Sequence, residues 1–169
     1  MKIAIIGYAG SGKSTLADYL SKKYHLPLLH IDKISFHQNW VEKTNDERKH
    51  ALKKFLLSND SNWIIDGTYS NVYFEERMNQ ADQIIFLKFN RFTCYFQALK
   101  RAFKYRKIQR ESAPEGCREK FSFSFQWWIL YAGRTRKRNK FFSKTINKYN
   151  HKIIILKNRK DVMEYLNNN

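Results

Sequence analysis

Five short apolar runs punctuate the chain: 2–6 (Lys2-Ile3-Ala4-Ile5-Ile6), 27–32, 63–66 (Trp63-Ile64-Ile65-Asp66), 83–89 and 152–156. They are near-continuous and rich in β-branched residues, which suits strands covered on both faces of a sheet. The segments between them switch to a helical period. Leu16, Ala17 and Leu20 follow the first run in i, i+1, i+4 spacing. Thr44 and Glu47 form a capping box that predicts a helix to about Ser58, with Ala51, Leu52, Phe55 and Leu56 inward. The pattern over 91–110 predicts one long helix burying Phe92, Tyr95, Phe96, Leu99 and Phe103. Ser112-Ala113-Pro114-Glu115-Gly116 breaks that pattern. A further helix is expected from near Ser122 through Phe125, Trp128, Ile129 and Ala132, its aromatics read as core rather than as base-stacking platforms. Strands alternating with helices predict an α/β fold with a parallel sheet. With no repeat, low-complexity tract or linker, residues 1–169 are expected to form a single domain.

Chemistry enters at the turn between the first strand and the first helix. Gly7-Tyr8-Ala9-Gly10-Ser11-Gly12-Lys13-Ser14 fits G-x-x-x-x-G-K-[ST], the Walker A phosphate loop, and Thr15 continues it. A triphosphate needs several donors converging on it, and side chains at the three glycines would obstruct the backbone. The unsatisfied amides and the dipole of the following helix add to the attraction. ATP is therefore the expected ligand, bound by Gly7, Ala9, Gly10, Ser11, Gly12, Lys13, Ser14 and Thr15. Lys13 is expected on the β- and γ-phosphates, and Ser14 on Mg²⁺.

Two carboxylates end predicted strands on the side where open parallel sheets bind ligands. Asp66 stands like a Walker B residue that orders magnesium, and Asp32 is suited to orient or deprotonate an acceptor, or to share the magnesium. The competing reading makes either a helix cap or turn residue, and the functional one is preferred. His30 alternates away from Asp32 and reads as a packed histidine. Arg101, Arg106, Arg110 and Arg118 bracket the Pro-Gly break. On a mobile segment they would neutralise the transferring phosphoryl group; otherwise they are a solvated basic face.

Composition changes the picture in one respect. The net charge of +17 is uneven: residues 1–90 hold 12 Lys/Arg against 10 Asp/Glu, and residues 91–169 hold 20 against 5. A polyanion is a candidate partner of the second half, weak non-specific nucleic acid binding included, as is a generally basic background. The cluster Arg134-Thr135-Arg136-Lys137-Arg138-Asn139-Lys140 is either a phosphate-tracking patch or an exposed helix end. Two isolated cysteines, Cys94 and Cys117, make neither a disulfide framework nor a C-x-x-C pair, which suits a reducing, cytoplasmic setting. No apolar run is long enough to span a membrane, and the N-terminal run is too short for a secretory signal.

The phosphate loop, Leu29-His30-Ile31-Asp32-Lys33, Trp63-Ile64-Ile65-Asp66-Gly67-Thr68-Tyr69-Ser70 and Ala113-Pro114-Glu115-Gly116-Cys117 together resemble the bacterial DNA topology modulation proteins of FlaR type. The resemblance covers essentially the whole chain. It implies a three-layer α/β/α P-loop NTPase fold, adenylate-kinase- and shikimate-kinase-like, with a five-stranded parallel sheet of order 2-3-1-4-5. It also implies an acceptor-binding segment at about 33–62, a short lid at about 104–120, and a turn around Asn158-Arg159-Lys160 beside the adenine. Nucleoside monophosphate kinases carry Asp-Gly-Phe-Pro-Arg where this chain continues Asp66-Gly67-Thr68-Tyr69-Ser70, so AMP is not indicated as acceptor. The expected function is an ATP- and Mg²⁺-dependent phosphotransferase with a small-molecule acceptor. The alternative is a nucleotide-dependent DNA-binding regulator.

Overall fold

The computed structural model describes residues 1–168. Strands β1 (Lys2–Gly7), β2 (Leu28–His30), β3 (Trp63–Asp66), β4 (Gln83–Leu87) and β5 (Ile153–Leu156) form one parallel sheet in the order β2-β3-β1-β4-β5. This is the expected order. Ile3 to Ile6, Ile64, Ile65 and Ile84 to Leu87 are buried, as strands covered on both faces require.

Helices α1 (Lys13–Tyr24) and α8 (Arg159–Asn168) lie together, Lys23 Nζ donating to the Leu166 carbonyl at 3.2 Å. Helices α4 (Phe74–Gln80) and α7 (Arg136–Lys148) share the other layer, where Phe74 packs on Phe141 at 4.9 Å. Phe142 of α7 stacks on Phe86 of β4 at 4.6 Å and 20°, which fastens that layer to the sheet. Helix α2 (Ile31–Ser35) and α3 (Asn45–Ser58) span β2 to β3. The Thr44 hydroxyl accepts from the Glu47 amide while Glu47 Oε2 accepts from the Thr44 amide, so the predicted capping box is present.

Two expectations fail over the second half. Helix α5 (Arg91–Lys104) ends six residues early, and Phe92, Phe96 and Phe103 on it are 64%, 63% and 69% exposed. Its buried residues are Cys94 and Ala98. The reason is proximity: α5 crosses the phosphate loop so closely that a Cβ on Gly10 would meet the Cys94 carbonyl at 2.4 Å. Only small side chains fit there. Helix α6 (Phe123–Leu130) likewise stops short of Ala132, and its Trp127 and Trp128 are exposed while Ile129 is buried.

Candidate active site

The phosphate loop is built as the sequence requires. Gly7, Gly10 and Gly12 all have positive φ, and a Cβ on Gly7 would strike the Leu87 carbonyl at 2.6 Å. The loop is anchored by a residue whose role the sequence did not reveal. Thr68 Oγ1 accepts from the Gly7 amide at 3.0 Å and donates to the Gly7 carbonyl at 3.1 Å. The chain just beyond β3 thereby fixes the exit of β1.

Lys13 Nζ donates to the Tyr8 carbonyl at 3.0 Å. Burial holds its pKa below the ordinary lysine value, with the Asp66 and Asp32 charges opposing the shift. The Ser14 hydroxyl lies close enough to the buried Asp66 carboxylate to help lower its pKa. Burial raises the Asp66 pKa, but hydrogen bonding to His30 and the Lys13 charge outweigh it, so the group is more acidic than usual. Thr15 is exposed, Ala9 half-buried, and the buried Ser11 hydroxyl lacks a partner among the described residues.

His30 does not face away, as alternation suggested. Parallel register sets it beside Asp66, and its Nδ1 lies 3.0 Å from Asp66 Oδ2 while Nε2 lies 3.1 Å from Asp18 Oδ1. A ring nitrogen must carry a proton to donate, and both do so only in the imidazolium. Burial lowers the His30 pKa, yet hydrogen bonds to the two carboxylates raise it to about 9. The second carboxylate oxygen, Asp66 Oδ1, is buried and unpartnered among the described residues.

Asp32 lies on α2 rather than at a strand end, because β2 stops at Leu28–His30. Its Oδ1 accepts from the Tyr69 hydroxyl at 2.8 Å, and its charge acts on both Lys13 and Arg101. Tyr69 belongs to the loop after β3. Arg77, fully buried, holds that loop by donating to the Gly67, Tyr69 and Val72 carbonyls, each at 3.0 Å. Burial lowers the Arg77 pKa to about 10. Neither Thr68 nor Arg77 carried a sequence signal beyond lying near Asp66.

The four arginines around the Pro-Gly break separate. Arg101 Nε and Arg110 Nε both approach the buried Glu119 carboxylate, at 3.2 and 2.8 Å, off the hydrogen-bonding direction. Arg106 and Arg118 are exposed. Arg101, of the four, is thus within the electrostatic reach of Lys13 and Asp32. The irregular segment after α5 is sewn to the one after α2. Trp40 Nε1 donates to the Arg118 carbonyl at 2.8 Å and the Asn39 amide to the Gly116 carbonyl at 3.3 Å. Cys117 Sγ accepts from the Trp40 amide at 3.2 Å and donates to the His37 carbonyl at 3.2 Å. Arg159 opens α8 and is exposed. The basic run at 134–140 is neither a uniform patch nor a bare helix end: Arg134 lies 3.9 Å over the Tyr8 ring, whereas Arg136, Lys137 and Lys140 are exposed.

A family model described as an AAA domain matches residues 3–116, which include the phosphate loop, Asp32 and Asp66. The chain belongs to this AAA-domain family. Among solved structures, this AAA-domain chain is similar to a deoxyadenosine kinase from M. mycoides with bound dATP, at 18% identity and a TM-score of 0.59, over 99% of this chain and 98% of that one. It is also similar to an unliganded sugar kinase from a Janibacter species, at 13% identity and a TM-score of 0.51, over 98% and 92%. Both likenesses establish a common P-loop kinase fold. No curated protein matches the sequence. Among the described residues of the AAA-domain chain, no helix is long and apolar enough to cross a membrane.

Proposed function

We propose that this AAA-domain protein is an ATP- and Mg²⁺-dependent phosphotransferase acting on the hydroxyl or phosphate of a small molecule. One observation carries the reading: Lys13, Ser14, Asp66 and Asp32 converge at the carboxyl edge of the sheet, with Arg101 in electrostatic reach. An ATP-binding loop alone needs no acceptor carboxylate, whereas a kinase does. The likeness to a deoxyadenosine kinase makes nucleosides the first acceptors to try.

Asp66 and Ser14 fit a magnesium ion. Asp66 Oδ1 is a buried carboxylate oxygen with no partner among the described residues, next to a serine hydroxyl, and magnesium binds through one or two oxygen side chains plus substrate phosphates. When bound, the ion would neutralise charge on the phosphates. His30 holds the other oxygen and so orients Asp66. Lys13 and the loop amides would bind the β- and γ-phosphates, the lysine leaving the Tyr8 carbonyl to do so. Asp32, its Oδ1 held by Tyr69, would take the acceptor's proton through Oδ2 as the new O–P bond forms and ADP leaves with the electrons of the broken one. Arg101 and Arg110 would balance the charge from above, with Arg106 and Arg118 joining them only if the segment at 104–120 closes further. Arg159 would edge the adenine. The chain is read as one domain in which residues 33–62 take the acceptor, in the cytoplasm.

The FlaR-type blocks support membership in that group, and the DNA-binding alternative rests on the charge of residues 91–169. That support is reduced because Arg101, Arg110 and Arg134 are engaged within the protein. A screen of nucleosides, nucleotides and hydroxylated metabolites for acceptor-dependent ADP release tests the proposal. Release that no acceptor stimulates, together with tight ATP-sensitive duplex binding at 150 mM salt, a concentration at which charge contacts are well screened to about 8 Å, would reverse the order of the two readings.

A further inference from the structure

A recess of about 330 Å³ opens between the end of β4 and α7, sharing Tyr8 with the back of the phosphate loop. Lys88, Arg91 and Arg134 line it, with Asn139 and Ser143 as neutral polar groups and Tyr8 at its inner side. Lys13, Ser14, Asp32 and Asp66 do not line it. β4 lies on the opposite side of β1 from β3, so the recess opens away from the strand that ends in Asp66.

Its charge is uncompensated. No carboxylate lines it, and none of the three cations pairs with a carboxylate among the described residues. Arg134 is held in place from one side: Nε donates to the Ile129 carbonyl at 3.2 Å, and Nη2 to the Phe89 carbonyl at 2.9 Å and Cys94 Sγ at 3.3 Å. Its Nη1 has no partner among the described residues, which leaves donors of a fixed guanidinium unused. Arg91 lies against the Tyr131 ring at 5.8 Å, and Lys88 is fixed at its backbone by the Leu156 carbonyl at 2.8 Å. Three like charges around one hollow repel each other until an anion enters. Two arginines and a lysine around neutral donors are the chemistry that recognises a phosphate group. The volume matches a small ligand, and a hollow favours a terminal phosphate over the convex backbone of a duplex.

We propose that this recess is a second anion site, which binds a phosphomonoester, a small molecule carrying a terminal phosphate, through Lys88, Arg91 and Arg134. The substitution pair Lys88→Ala/Arg91→Ala tests it, since both side chains lie outside the phosphate loop and Arg134 keeps its packing. Equilibrium dialysis with radiolabelled inorganic phosphate, on the wild type, the double variant and Lys13→Ala, separates the recess from the loop. The double variant should lose one bound phosphate per chain, by about tenfold or more in affinity, while Lys13→Ala retains it. Crystals soaked in tungstate should carry anomalous density among Lys88, Arg91 and Arg134. Unchanged stoichiometry in the double variant, or tungstate confined to the phosphate loop, overturns the proposal. A short DNA duplex should fail to displace the phosphate from Lys13→Ala at equal phosphate concentration. Displacement lost with the double variant would assign the recess to nucleic-acid backbone and overturn the small-ligand reading.

Discussion

Replacing Thr68 by valine isolates the anchor of the phosphate loop. The two side chains have nearly the same shape, so no cavity opens and only the hydroxyl is lost. That hydroxyl serves both the amide and the carbonyl of Gly7, at 3.0 and 3.1 Å, in a buried setting. Leaving a buried backbone donor unpaired costs about 1–3 kcal/mol, and the lost bond to the carbonyl adds about 1 kcal/mol. A total of about 2–4 kcal/mol corresponds to a fall in Tm of roughly 4–16 °C for a chain of this size. The effect should extend to binding, since Gly7 enters the loop at φ +152 against the Leu87 carbonyl and has little freedom to shift without moving the amides that follow. Differential scanning calorimetry measures the first effect, and ATP titration the second. Thr68→Ser keeps the oxygen and should recover most of both. A Thr68→Val protein melting within about 1 °C of wild type, or a Thr68→Ser protein as damaged as Thr68→Val, refutes the anchor.

Asp66→Asn should raise the magnesium concentration needed for turnover, whereas Asp32→Asn should act on the acceptor-dependent rate. Superimposable magnesium titrations of the two variants would show that the roles are not divided this way. Lys13→Ala should abolish turnover in a folded protein, a loss of a few kcal/mol of charge stabilisation, and retained ATP affinity with retained turnover would exclude the loop as the site. His30 gains protons on folding, with its pKa moving from 6.5 to about 9. Its contribution to stability is therefore complete below about pH 6.5 and is lost as pH rises through about 9. Melting curves across that window should fall more for wild type than for His30→Gln, and parallel curves would contradict the imidazolium bridge. Glu119→Gln should loosen Arg101 and Arg110 together and raise the acceptor-independent hydrolysis of ATP; an unaltered rate would detach these arginines from the site.

The sheet and the phosphate loop were legible because each is written in a few adjacent residues: an unbroken apolar run, or glycines where no side chain fits. What the sequence hid depends on neighbours across the fold. His30 and Asp66 are side by side only because parallel register pairs them, which alternation along one strand does not encode. The buried face of α5 follows size instead of hydropathy, since the close crossing at Gly10 admits Cys94 and Ala98 and turns Phe92, Phe96 and Phe103 outward. Nothing local to Arg77, a charged residue on α4, marks it as buried. It is buried because three loop carbonyls need donors that no backbone amide supplies.

If the segments at 33–62 and 104–120 act as the proposed acceptor cover and lid, the seam between Gln38–Trp40 and Gly116–Arg118 has a kinetic consequence. In an enzyme whose two covers hinge separately, each substrate draws down its own, and the reaction waits for both. Here four hydrogen bonds join the two segments, through Asn39, Trp40, Cys117 and His37, so they would move as one. On the proposed function, ATP arriving first would then close the acceptor side as well, before any acceptor is bound. Order of arrival would thereby govern yield: acceptor before ATP would give transfer, and ATP before acceptor a wasted turnover. Cutting the seam with Trp40→Phe and Cys117→Ala should convert this ordered preference into a random one.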